Sequence, residues 1–201
     1  MKLKFLQSLF TVVLFSVSFM SNATLILQGG TGSTGAGNIV LDSGTVIDVS
    51  HSAYYNGATS PASSWVWASG VDQNADLSFT FTFSLHGFDI STASLSGLWG
   101  VDNVGSVYLN NTLLSDLPNV VTGNFNVLTA FNAGPGSSAF IAGTNTLTFD
   151  VGNRGGPGAF RASVEVSAQQ SNAAQISEPN ALILFMLGLP MVLVARRIRN
   201  K

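Results

Sequence analysis

The chain has 201 residues and a formal charge of −2, but its charges are unevenly placed. Lysine is absent between Thr24 and Ala195, and in the body up to Ser177 Arg154 and Arg161 alone face nine acids, a formal charge of −7. So acidic a body excludes a nucleic-acid partner, which needs clustered Lys or Arg. The lack of cysteine excludes a disulfide framework and a thiol nucleophile.

In chain order, the first element is apolar. Lys2 and Lys4 precede a run from Phe5 to Met20, and Ser21-Asn22-Ala23 puts small residues at its first and third places. This is the pattern of a secretory signal peptide, residues 1–23, cut between Ala23 and Thr24. The alternative is an uncleaved N-terminal anchor.

Residues 24–167 predict a single all-β domain. In LSFTFTFSL, Leu77, Phe79, Phe81, Phe83 and Leu85 alternate with Ser78, Thr80, Thr82 and Ser84. Strict period two means one buried face and one wet face. NTLTFDV repeats the pattern with Leu147, Phe149 and Val151 inward, and AFRASVEVS with Phe160, Ala162, Val164 and Val166 inward. Thr45–Ser50, Ala93–Trp99, Ser106–Leu109 and Asn126–Phe131 are further candidate strands. Asn110-Asn111 suits a tight hairpin, because Asn tolerates positive φ. About seven to nine short strands with Gly-rich turns predict a two-sheet, jelly-roll-like β-sandwich.

Few residues in this body announce chemistry. His51 and His86 stand alone, and no H-E-x-x-H or other metal-ligand spacing is present. TGSTGAGN, Thr31 to Asn38, lacks the GK[ST] ending of a phosphate loop and reads as a turn. Trp65 and Trp67 share a face if their segment is extended. They either stack on sugar rings or plug the core, whereas Trp99, ending the strand Ala93–Trp99, belongs to the core. The acids occur singly. Asp102 and Asp150 are the ones that folding would have to bring together in a glycan-cleaving enzyme.

After a polar linker, residues 168–177, comes a last segment, residues 178–201. Fifteen uncharged residues, Ala181–Ala195, separate Glu178-Pro179 from a basic cluster that includes Arg196 and Arg197. At 1.5 Å per residue they reach only about 22 Å, short of the roughly 30 Å of bilayer hydrocarbon, and Pro190 interrupts them. A short hydrophobic helix of this kind suits a temporary membrane anchor whose basic end stays cytoplasmic.

Ser177-Glu178-Pro179, the apolar stretch with Leu187-Gly188-Leu189, and Ala195-Arg196-Arg197 together resemble the PEP-CTERM sorting signal, with Ser in place of the first Pro. The resemblance implies recognition by an exosortase-type membrane enzyme in a Gram-negative bacterium that makes extracellular polysaccharide. The expected route passes transiently through the inner membrane to the cell surface or beyond. A second resemblance covers roughly Leu77 to Ser167. Leu98-Trp99 with Asp102-Asn103 and Gly105, Leu109-Asn110, Gly143-Thr144-Asn145-Thr146-Leu147, and Asn153 with Gly155-Gly156 are similar to the galactose-binding-like β-sandwich. That family often carries a structural calcium, which implies Asp102 and Asn103 as metal ligands.

Two functions from different classes follow as expectations. One is a non-catalytic exported surface or matrix protein associated with extracellular polysaccharide. The other is a glycan-active enzyme. A stably anchored structural protein without a ligand is a third.

Overall fold

Eleven strands and no helix form in the described residues, 23–32, 37–71, 74–119 and 123–171 of this computed structural model. Residues 1–22, most of the linker and the whole sorting segment, with Ser177, Glu178, Pro179, Arg196 and Arg197, lie outside them.

Sheet A contains β1 (Thr24–Gly30), β3 (Val46–Asp48), β4 (Val66–Ala68), β6 (Phe88–Asp102), β9 (Thr129–Ala133) and β11 (Ala159–Gln170). Its order is β3-β4-β11-β6-β9, with β1 also pairing β11. Sheet B contains β2 (Val40–Leu41), β5 (Ala75–Ser84), β7 (Val104–Leu109), β8 (Thr112–Leu117) and β10 (Thr144–Asn153), in the order β2-β5-β10-β7-β8. The strand pairings in both are antiparallel. The all-β two-sheet sandwich expected from the alternating segments is therefore the fold.

The sheets pack through the side chains that the alternation marks. Phe79, Phe81, Phe83 and Leu85 are each exposed by 3% or less. Phe79 pairs with Phe149, and Phe81 with Leu147. From sheet A, Phe160, Phe131 and Trp99 meet Phe149 at ring-centroid distances of 5.1, 5.6 and 6.2 Å. Trp99 is fully buried, and its Nε1–H donates to Ser115 Oγ at 3.1 Å, so the ring's one polar atom is satisfied. Gly97 makes room for this layer: a Cβ there would lie 2.3 Å from the Phe131 ring.

The predicted hairpin forms. Asn110 and Asn111 have φ of 46° and 71°, the left-handed conformation of a two-residue hairpin loop, and Leu109 pairs with Thr112 across it. Three details differ from the sequence expectation. Leu77 is only half-buried. The strand expected at Asn126–Phe131 starts at Thr129, because Phe125 and Leu128 pack instead against a second hydrophobic cluster. And β11 has no wet face along its first half: Ala159, Arg161 and Ser163 are as buried as the core-facing residues between them.

That second face is covered by chain. The segment His51–Ser64, between β3 and β4, lies over the outer side of sheet A. Tyr54 and Trp65 join Ala159 there, with Val49, Phe125 and Leu128 packed around them. Thr24, the expected first residue after cleavage, opens β1 and pairs with Ala168. β11 runs through Gln170 rather than stopping at Ser167, since Ala168 is itself buried in the core. Both hydrophobic clusters are contained within the compact unit that ends at Gln170.

Candidate functional site

Two polar places among the described residues bear on the candidate site. The first is the corner where the chain leaves sheet A at Asp102 and enters sheet B at Val104. Asp102 pairs with Ala159 and is 6% exposed. Its Oδ2 accepts from the Tyr54 hydroxyl at 3.2 Å. Burial pushes the Asp102 carboxyl above the ordinary aspartate range, opposed by the Tyr54 bond and the nearby His51. Burial, together with the charge of Asp102, pushes the Tyr54 phenol up as well. The His51 and Tyr54 rings are 5.4 Å apart.

Asn103 turns elsewhere. Its Oδ1 accepts from the Arg154 backbone N–H at 2.7 Å, and its carbonyl accepts from Asn124 Nδ2 at 2.6 Å. The calcium implied by the resemblance does not fit these two residues as they stand. One Asp102 oxygen is held by Tyr54, the Asn103 oxygen is held by backbone, and among the described residues no three His, Cys, Asp or Glu side chains gather as a metal group. This corner is built as a structural joint.

A pH dependence follows. An acid whose folded-state pKa is raised contributes most below its unfolded value of about 3.9, and that contribution is lost as pH rises through the folded pKa. Asp102→Asn keeps an acceptor for Tyr54 and removes the buried charge. The variant should melt above the wild type at neutral pH, and the difference should vanish on acidification below about pH 4. Equal melting at every pH would mean that the Asp102 charge is not penalised by burial.

Trp65 and Trp67 lie on the way into the same region. They are 4% and 3% exposed, so neither ring presents a face to solvent. Trp65 Nε1–H donates to the Tyr55 carbonyl at 2.9 Å. Trp67 joins the main core and lies against Gly158, where a Cβ would come within 2.3 Å of the ring.

The second place is the outer face of sheet B, and the sequence reading did not single it out. Between the inward phenylalanines, β5 turns Asp76, Ser78, Thr80 and Thr82 outward, and β10 turns Thr146, Thr148 and Asp150 outward. Strand pairing lines these into rows across the sheet. One row is Ser78–Asp150–Ser106–Asp116, in which Ser106 donates to Asp116 Oδ1 at 2.7 Å. The next is Thr80–Thr148–Tyr108, with Tyr108 half-buried and its exposed neighbour Leu113 beyond it. Thr80 also donates to Asp42 at 3.1 Å.

One end of this face is notched. Gly152 pairs with Asp76 and leaves room for the Arg154 guanidinium to lie across the strand. Its Nη2 reaches Asp76 Oδ1 at 2.5 Å, and a Cβ on Gly152 would come within 2.6 Å of both groups. A shallow depression of about 390 Å³ opens here, lined by Asp76, Ser78, Ser106, Asp150 and Arg154 among others.

Folding places the two acids considered for catalysis apart. Asp102 shares the outer face of sheet A with Ala159, while Asp150 is exposed on the outer face of sheet B. Asp102 and Asp150 therefore sit on opposite sides of the sandwich and do not form a carboxylate pair across one bond.

No family model matches this chain, and no curated protein does. Among solved structures it is similar to a family 35 carbohydrate-binding module from an environmental isolate, at 13% identity and TM-score 0.40, covering 69% of this chain and 90% of that one. It is also similar to the family 35 module of Cellvibrio japonicus Abf62, at 15% identity and TM-score 0.37, over 73% of this chain and 97% of that one. A family 35 carbohydrate-binding module from Clostridium thermocellum aligns at 11% identity and TM-score 0.37, over 71% and 97%.

Proposed function

We propose that this chain is a non-catalytic exported surface or extracellular-matrix protein that associates with extracellular polysaccharide. In this proposal an exosortase-type system in a Gram-negative bacterium sorts it through Ser177-Glu178-Pro179 and the basic Arg196-Arg197 end. The observation that carries the polysaccharide part is the outer face of sheet B. It is an open band of hydroxyls and carboxylates with a half-buried tyrosine, backed by a rigid aromatic core. Such a surface can exchange hydrogen bonds with many sugar hydroxyls along a polymer, and it needs no enclosed pocket to do so. The separation of Asp102 from Asp150 supports binding over cleavage.

Two measurements test this reading. Mass spectrometry of the protein recovered from the producing cells should show a start at Thr24 and loss of most residues after Pro179. Extracellular protein that still carries Arg196–Lys201 would sink the sorting part and leave a stable anchor. The unit Thr24–Ser171, which contains both hydrophobic clusters, should be retained on the extracellular polysaccharide of its own cells without shortening it. Release of reducing ends would replace binding by catalysis.

A further inference from the structure

We infer that the outer face of sheet B is a binding surface for a cationic polysaccharide, a hexosamine polymer that carries free ammonium groups. The inference rests on the polysaccharide reading above and names the site and the chemistry of the ligand.

Charge complementarity selects the occupant. Asp76, Asp116 and Asp150 stand on this face and Asp42 at its edge, while among the described residues Arg154 is its one cation and is already paired with Asp76. A uronic-acid polymer would meet like charge along the whole row. A polymer bearing ammonium groups would meet opposite charge, and its remaining hydroxyls would meet Ser78, Ser106, Thr80 and Thr148.

Spacing sets the direction of the chain. Neighbouring strands lie about 4.8 Å apart, so Asp150 and Asp116, two strands apart with Ser106 between them, are separated by roughly 10 Å. A linear polymer laid across the strands therefore meets carboxylate, hydroxyl, carboxylate in turn. Tyr108 lies beside this row, paired with Thr148, which itself neighbours Asp150 by two residues along β10. Its ring is the aromatic surface on which a pyranose would stack. The Gly152 notch and the Arg154–Asp76 bridge close one end of the depression.

Calorimetric titration of the Thr24–Ser171 unit with three oligosaccharides of equal length tests the inference: oligoglucosamine, fully N-acetylated oligoglucosamine and oligogalacturonate. Oligoglucosamine should bind, the acetylated form should bind at least roughly tenfold more weakly, and oligogalacturonate should not bind. Added salt should weaken the binding. Asp150→Asn and Asp116→Asn, both exposed positions, should each weaken it by roughly tenfold with unchanged melting temperature. Tyr108→Ala should weaken the acetylated and free-amine oligomers alike.

If the acetylated oligomer binds as tightly as the free amine, or if Asp150→Asn binds like the wild type, the charged site is wrong while polysaccharide association stands. If no oligomer binds and the native polysaccharide does not retain the protein, both fall.

Discussion

Phe149→Ala is expected to remove a large share of the sandwich's stability, about 3–5 kcal/mol. Phe149 is fully buried and touches Trp99, Phe131 and Phe160 from the opposite sheet, so its ring joins three sheet A aromatics to β10, the central strand of sheet B. Truncating a buried phenylalanine costs about 3–5 kcal/mol through lost transfer energy and the cavity left behind. Total stability for a domain of this size is about 5–15 kcal/mol. The neighbouring substitution Asp150→Ala removes an exposed side chain from the same strand and should change stability by less than about 0.5 kcal/mol. Urea titration of both variants reads the contrast directly. Similar midpoints for the two would mean that the alternation along β10 does not define the core.

That contrast also marks what was legible in the sequence. The strands that could be read are those with one buried and one wet face, because period two then appears as alternating letters. β5 and β10 are of this kind, and the Asn110-Asn111 turn declared itself through its tolerance of positive φ. β1, β2 and β4 gave no such signal. β2 spans two residues and β4 three, and every residue of β4 is buried. β11 showed an alternation that is real on its core side. Nothing local indicated that Arg161 and Ser163, on the other side, would also be buried, because the segment covering them comes from about a hundred residues earlier in the chain.

The candidate site was less legible, for a related reason. Attention to sugar stacking went to Trp65 and Trp67, the largest rings in a polar stretch, yet both are buried. The face proposed here is made of ordinary Ser, Thr and Asp residues, and only strand pairing brings them into rows. Ser106, Asp116 and Asp150 come from three strands, and their neighbourhood depends on the order β5-β10-β7-β8. The signal was available in part. The outward positions of a strand are fixed once its inward ones are known, so Asp150 between Phe149 and Val151 was already assigned to an open surface. Asp102 illustrates the opposite case. The resemblance implied it as a calcium ligand, whereas it ends a 15-residue strand and its carboxylate accepts from Tyr54.

The covering segment itself should depend on one side chain. Arg161 is 5% exposed and has no carboxylate partner among the hydrogen bonds it makes. Its Nε donates to Ser63 Oγ at 3.0 Å, Nη1 to the Tyr55 carbonyl at 2.9 Å and Nη2 to the Gly57 carbonyl at 2.9 Å. Burial lowers the guanidinium pKa from its ordinary value, but arginine stays protonated in proteins. The planar fork thus ties two backbone carbonyls and a hydroxyl of the covering segment to β11, the Tyr55 carbonyl accepting from Trp65 as well. Arg161→Met fills similar volume and removes every donor of the fork, and it should cost about 1–3 kcal/mol, because the Tyr55 carbonyl keeps Trp65 and the Ser63 hydroxyl keeps Thr59 while the Gly57 carbonyl loses the guanidinium. Arg161→Lys should recover little of this, because an ammonium cannot span the same acceptors in one plane. The loss should be local before it is global. Limited proteolysis of Arg161→Met should cut between Tyr55 and Ser63 under conditions where the wild type resists, while the hydrogen exchange of β5 and β10 stays slow. If that segment remains protected in Arg161→Met, the packing of Tyr54 and Trp65 holds it down and Arg161 is dispensable.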